Sequence, residues 1–324
     1  MTKKMILDVD TGSDDAVAII LAALSKDIDL IGITTVNGNR NIDITTTNTL
    51  RVVSLLGQTI PVYRGCHLPM VSTLLKGRRD NVPFQGMEDK SEDVHEDYLP
   101  IPESKLLEQN EHAVFYLVNT LLNAKEKITV IPVGPLTNLA MALRIAPKII
   151  ENIEEIIIMG GGYLINNITS GAEFNFWVDP EAAKIVMDCG APIRLVPLDA
   201  THAAYISYDD CEQMKELNSP IATFCANMIQ KRISGYNNFQ PLPVHNTGPV
   251  HDALAVCAMI NPDVLQDCVE VYVDVCFSPG AADGMSLVDA GRRDKSRKPN
   301  AIMAKNADRS LFLSMVMQLL GSSK

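Results

Sequence analysis

Asp8, Asp10, Asp14 and Asp15 stand within eight residues of one another in the run Met5-Ile6-Leu7-Asp8-Val9-Asp10-Thr11-Gly12-Ser13-Asp14-Asp15-Ala16. Carboxylates at that density repel one another, and an ionised acid taken out of water without a partner is costly. The cluster needs either a compensating cation or full exposure. Its flanks argue for the cation: Met5 to Leu7 reads as a buried strand, and Ala16 to Leu24 as a helix apolar on most of its faces. The acids sit at a strand-to-helix turn, where a hard cation with oxygen ligands would neutralise them.

The surrounding pattern alternates apolar, β-rich segments with helix-length ones, as βαβ units do. Met5 to Val9, Leu30 to Val36, Ile128 to Val133, Glu155 to Met159 and Ile193 to Val196 are the predicted strands. Asp14 to Ser25, Thr45 to Leu56, Glu111 to Asn123, Pro135 to Ile145 and Pro180 to Met187 are the predicted helices. The pattern predicts an α/β fold with a doubly wound, mostly parallel sheet, built as a single domain over residues 1–324. Met70 to Pro102, Ser234 to Pro249 and Gly291 to Asn300 read as loops. Ligands of such sheets bind beyond the carboxyl ends of the strands. The residues there are polar: the acids after the first strand, Asn37-Gly38-Asn39-Arg40 after the second, Gly134-Pro135-Leu136-Thr137-Asn138 and then Gly160-Gly161-Gly162.

A formal net charge of −11 disfavours nucleic acid as the partner and favours a small neutral or cationic ligand. Neither a signal-peptide pattern nor an apolar run of membrane-spanning length is found, so a cytoplasmic protein with no membrane partner is expected. The seven cysteines form no CxxC pair and read as reduced, small apolar side chains.

Three cation-binding templates fit the acidic turn to different degrees. An EF-hand loop fails, because counting from Asp8 its fifth position is Gly12 and its twelfth Ile19. The strand-D-x-D start of a Mg²⁺ phosphatase of the haloacid dehalogenase type is met by Asp8-Val9-Asp10, but leaves Asp14-Asp15 without a role. The pattern D-x-D-x-G-x-D-D is filled at Asp8, Asp10, Gly12, Asp14 and Asp15, and in this the chain resembles the inosine-uridine preferring nucleoside hydrolase family. The resemblance continues in order through Asn37-Gly38-Asn39, Pro132 to Asn138, Met159-Gly160-Gly161, Ala172-Glu173-Phe174-Asn175, Asp179 to Ala183 and Gly248-Pro249-Val250-His251-Asp252-Ala253. It departs at Thr11, where the family has Pro before the glycine. It departs again at Phe84-Gln85-Gly86-Met87, where many relatives have a His-Gly pair and Gln85 has no acidic proton to give.

The resemblance implies Ca²⁺-dependent hydrolysis of the N-glycosidic bond of a ribonucleoside, giving ribose and free base; the Mg²⁺ phosphatase of the dehalogenase type and a relative that binds ribose or nucleosides without turnover are the two alternatives. It implies Asp10, Asp15 and Asp252 as metal carboxylates, with the backbone carbonyl of Val133 as a further ligand, and Asp10 as the base that takes the proton from water. Asp14, Asn167, Glu173 and Asn175 would hold the ribose, with Asn39 close by and Met159 lining the site. Asp8 would order the turn. A homodimer or homotetramer is the expected assembly. His251, next to Asp252 at a predicted helix start, is the candidate proton donor to the departing base, with His95 and His245 as the alternatives. Trp177, Tyr236 and Phe239 are candidates for stacking on the base.

Overall fold

A computed structural model describes residues 2–76, 78 and 97–323. Phe84 to Met87, with Gln85 among them, and His95 lie outside the described residues. A nine-stranded sheet forms the centre. Its strands are β1 (Lys3–Val9), β2 (Ile28–Thr35), β3 (Val62–Arg64), β4 (Ile128–Pro132), β5 (Ile153–Met159), β6 (Ile193–Val196), β10 (Val269–Val275), β11 (Ser286–Asp289) and β12 (Ala301–Met303). Two small ribbons are formed by β7 (Tyr205–Ser207) with β8 (Thr247–Pro249), and by β9 (Leu265–Gln266) with β13 (Asn306–Ala307).

The order across the sheet is β11-β10-β12-β6-β5-β4-β1-β2-β3. Every pairing from β12 through β6 to β3 is parallel, and β10 runs antiparallel to both its neighbours. The chain builds outward from β1 through β2 to β3, then returns to place β4 on the other flank of β1. That reversal makes the β1/β4 boundary the topological switch point, where the crevice of an open α/β sheet opens. Val133 N donates to Asp8 O and Val36 N to Val9 O, so the segments leaving β4 and β2 are bonded to the end of β1.

The helices are α1 (Ser13–Leu24), α2 (Ile42–Leu55), α3 (Ala113–Leu122), α4 (Thr137–Ile145), α5 (Phe174–Val178), α6 (Pro180–Met187), α7 (Leu198–Ala203), α8 (Tyr208–Lys215), α9 (Pro220–Phe239), α10 (His251–Ile260) and α11 (Arg309–Gly321). Alternation along β1 divides the core in two. Met5, Leu7 and Val9 face the layer that holds α1, α9, α10 and α11, whereas Ile6 faces α3, α4 and α6. Both faces are covered, which is why β1 is an unbroken apolar run up to Asp8. Helix α1 is enclosed along most of its length, from Ser13 to Ala22, and removing a side chain such as Ile19 or Leu21 costs about 2–5 kcal/mol. The turn ahead of α1 is thereby anchored to rigid elements on both sides.

The five predicted strands and five predicted helices are present, with ends moved by up to three residues. The stretch from Ser234 to Pro249 is a correction. Residues 234–239 complete α9, and Thr247–Pro249 pairs with β7 as β8, so the connection is shorter than expected. Gly235 reads as a breaker in sequence, but Ile229, Ile233 and Tyr236 continue a buried helical stripe across it, and burial outweighs the ~1 kcal/mol that a helical glycine costs. Among the described residues, no helix is long and apolar enough to cross a membrane.

Candidate active site

Asp8 closes β1 with its side chain fully buried. Its Oδ1 accepts from Thr34 Oγ1 at 2.5 Å and Asn138 Nδ2 at 2.8 Å. Asn138 also donates to Thr35 O and accepts from Cys66 N, so it ties together the ends of β1, β2 and β3. Asp8 orders the turn in this way. Burial pushes its carboxyl up to about 7 despite those two bonds.

Asp10 and Asp15 form the next layer. Asp15 accepts from the backbone N–H of Asp10 at 3.1 Å and of Gly12 at 2.9 Å, and so caps the first turn of α1. Asp10 Oδ2 accepts from Asn39 N at 2.6 Å, while Asn39 Nδ2 donates to Asp10 O and Asp15 Oδ2. A Cβ at Gly38 would collide with Asp10 Oδ2, and one at Gly134 would stand 2.7 Å from Oδ1. Those two positions need glycine for the close approach of backbone to carboxylate.

Asp252, in the first turn of α10, completes the cluster. Carboxylate oxygens of Asp14, Asp15 and Asp252 lie within 4.8 Å of one another, and all three residues are buried. This set differs from the one expected from sequence in holding Asp14 where Asp10 was placed; Asp10 adjoins it through its N–H bond to Asp15. Burial first, and then the neighbouring acids, raise Asp10 and Asp252 well above the carboxylate range and Asp15 to about 7. Arg232 opposes the rise at both Asp14 and Asp252.

The remaining residues expected at the site gather along the ends of β4 and β5. Val133 O accepts from Asn175 Nδ2 at 2.8 Å, and the same amide reaches Met159 O at 3.2 Å. Glu173 Oε1 accepts from Asn175 N, and its Oε2 from Gly161 N and Phe176 N, which caps α5; burial pushes Glu173 up to about 7. Asn167 Oδ1 accepts from Phe174 N at 2.9 Å. Val133, Met159, Glu173 and Asn175 are therefore one connected group, with Asn167 held at its edge.

His251 opens α10 as expected, but both its ring nitrogens are engaged inside the protein. Nε2 meets Tyr236 Oη at 2.6 Å and Nδ1 meets Thr201 Oγ1 at 2.7 Å. Thr201 Oγ1 donates to Leu198 O, which leaves it the acceptor from His251 Nδ1–H, and Tyr236 Oη–H then donates to Nε2. His202 packs 5.8 Å from the His251 ring, and burial lowers it to about 4, so it stays neutral. Of the stacking candidates, Tyr236 is buried against His251, Phe239 packs on Tyr236 at 4.8 Å, and Trp177 is half-buried on α5. His245 is exposed on the connection before β8.

Residues 5–314 match the profile of the inosine-uridine preferring nucleoside hydrolases. The chain belongs to that family. It is 37% identical over 287 residues to the pyrimidine-specific ribonucleoside hydrolase RihB of Escherichia coli O1:K1 / APEC, spanning 89% of this chain and 87% of that one. Its fold is similar to that of the purine-preferring ribonucleoside hydrolase from Gardnerella vaginalis, with a TM-score of 0.86 and 28% identity over 99% of each chain. It is equally similar to the plant nucleoside hydrolase PpNRh1, with a TM-score of 0.86 and 27% identity over 99% of each chain. Membership in this hydrolase family replaces the dehalogenase-type phosphatase as the alternative account of the D-x-D start.

Three residues that contact the expected site residues are not among those expected from sequence: Arg232 on Asp14, and Thr201 and His202 on His251. Arg232 lies four residues before Tyr236 on α9 and shares a helix face with it, but it follows Gln230 and Lys231 in a polar run and reads there as a solvated side chain.

In the metal-free hydrolase, the raised acids have a thermodynamic consequence. Asp8, Asp15 and Glu173 titrate near 7 when folded and near their ordinary values of about 4 when unfolded. Between those limits the folded state binds more protons, so stability falls as pH rises through the window. The metal-free protein is expected to melt at least a few degrees lower at about pH 8 than at about pH 5.5. A cation held by these acids should recover more at the higher pH, since a ligand of the folded state stabilises it and needs the acids ionised. Differential scanning calorimetry with and without chelator checks both statements; a melting point that rises toward about pH 8 in chelator would contradict them.

Proposed function

We propose that this nucleoside hydrolase cleaves ribonucleosides and does so with Ca²⁺. The observation that carries the reading is the buried acid cluster at the switch point, which has too little fixed positive charge. Asp10, Asp14, Asp15 and Asp252 are buried together, their ion pair among the described residues is that of Asp14 with Arg232, and their donor atoms are hard carboxylate oxygens of the kind Ca²⁺ takes. The glycines at 38 and 134 leave the space for the Asp10 carboxylate to be approached closely. Asp10, Asp15, Asp252 and the Val133 carbonyl would hold the ion. When bound, it supplies the charge that acidifies a water and fixes the ribose diol.

The chain's own residues account for the remainder. Asn39 N holds Asp10 Oδ2, which leaves Oδ1 to take the proton of the attacking water. Asp14, Glu173 and Asn175 provide acceptors and a donor for the ribose hydroxyls, with Asn167 and Asn39 at the margins and Met159 packed beneath. The bond to the base then breaks through an oxocarbenium-like transition state. A protonated His251 cannot reach a ligand directly, because its nitrogens are taken by Thr201 and Tyr236. In the imidazolium, Nε2–H would donate to Tyr236 Oη, and the phenol would pass its own hydrogen to the departing base as it takes the one from Nε2.

A site built around both vicinal hydroxyls leaves buried polar groups unpaired when one is missing. Uridine and inosine are expected to outpace their 2′-deoxy forms by ~10²-fold or more in kcat/KM. Comparable turnover of uridine and 2′-deoxyuridine would contradict the ribose assignments, and nucleoside binding without any ribose release would identify a non-catalytic relative.

A further inference from the structure

Asp14, Asp15 and Asp252 come close enough to serve a single ion, yet among the described residues Asp14 is the acid in that set with a cation bonded to it. Arg232 is buried on α9 and donates from Nη1 to Asp14 Oδ1 at 2.8 Å and to Ser13 Oγ at 3.1 Å. From Nε it donates to the Pro249 carbonyl at 3.0 Å. The guanidinium thus joins the first turn of α1 to the end of β8, two residues before His251. A planar fork bound on both sides holds its partner in one geometry, which a flexible ammonium would not. It also carries a charge that repels a divalent cation, and such repulsion is weakly screened in a buried site. One turn further along α9, Tyr236 lies with its ring centroid 5.7 Å from Arg232 Cζ, so the leaving-group side is anchored by the same helix face.

Building on the reading of the site as a Ca²⁺-dependent ribonucleoside hydrolase, we propose that Arg232 is a positioning residue that withholds Asp14 from the metal and presents it to the ribose. The metal then takes its carboxylates from Asp10, Asp15 and Asp252. Two acids of equal chemistry and similar burial, Asp14 and Asp15, are given different work by which of them is bonded to a guanidinium.

The test replaces Arg232 and reads metal binding separately from turnover. In Arg232→Met, Asp14 is released toward the ion. Calorimetric titration of the chelator-stripped protein should show Ca²⁺ binding about tenfold tighter than wild type, a change of ~1.4 kcal/mol. The KM for uridine should rise about tenfold or more, and the preference for uridine over 2′-deoxyuridine should shrink by a similar factor. Losses in kcat/KM should be equal for uridine and for p-nitrophenyl riboside, because the defect lies on the ribose side. Arg232→Lys, which keeps the charge, should bring Ca²⁺ affinity back to within about threefold of wild type. If Arg232→Met melts as an unfolded protein, the near-isosteric Arg232→Gln decides by the same titration. Ca²⁺ affinity unchanged or weakened in a folded neutral variant would overturn the assignment, as would a loss confined to uridine. A wild type that releases ribose while the variant changes nothing overturns this assignment alone; a wild type that neither binds Ca²⁺ nor releases ribose overturns the reading of the site beneath it.

Discussion

Asp10→Ala is expected to lower ribose release from uridine and inosine by ~10³-fold or more, because one substitution removes a proposed metal carboxylate together with the proposed base. The local structure explains why the fold should tolerate the change. Burial first, and then the neighbouring acids, raise the Asp10 carboxyl, so its removal relieves a desolvated and repelled group, at the cost of the bond from Asn39 N. The expected pattern is therefore a folded protein with a near-normal melting point and almost no turnover. Asp10→Asn, which keeps the shape and the acceptor for Asn39 N but is neither charged nor basic, should be impaired almost as severely. A variant retaining a tenth of wild-type activity would show that the attacking water is activated elsewhere.

The second large effect concerns the departing base. Tyr236→Phe and His251→Ala are each expected to reduce turnover of ordinary nucleosides by ~10²- to 10⁴-fold while sparing p-nitrophenyl riboside, whose leaving group departs without a proton. The two variants should share this signature, because Tyr236 Oη and His251 Nε2 are 2.6 Å apart and are proposed as one proton path. The double variant should then lose little beyond either single one, as residues acting as a unit do. Tyr236→Phe also leaves His251 Nε2 buried without its partner, a cost of about 1–3 kcal/mol that thermal melting measures separately. Equal losses on both kinds of substrate would place the pair in binding or packing instead of proton delivery.

Legibility in the sequence divided along physical lines. The acids of Asp8 to Asp15 could be located because carboxylates at the end of an apolar run have few affordable explanations. β1, β2, β4, β5 and β6 could be located because parallel strands covered on both faces must be continuously apolar. The strands β10, β11 and β12 were not read, since β10 alternates between buried and half-exposed positions at the sheet's far side and gives a weaker signal than the central strands. Helix α9 is not among the predicted helices, and its last turn falls in the loop expected from Ser234, because a glycine inside a helix and one outside it look alike until tertiary packing is known. Arg232 was invisible as a site residue for a related reason. A lone arginine on a helix is ordinarily a solvated side chain, and only the crossing of α9 over α1 brings it to Asp14. The same holds for His251: its place beside Asp252 could be read, but its enclosure by Tyr236 and Thr201 depends on α9 and α7, which are far from it in sequence or outside any recognisable motif.

The central claim is that the buried acids at the β1/β4 switch point form a Ca²⁺ site for hydrolysing ribonucleosides. The most direct measurement is reducing-sugar release from uridine and inosine by protein stripped with chelator and then titrated with Ca²⁺. The account predicts negligible ribose from the stripped protein and saturable recovery as Ca²⁺ is added, with free base formed in equal amount. Ribose release that is unchanged by stripping, or that Ca²⁺ fails to restore to a protein still folded by calorimetry, would contradict it.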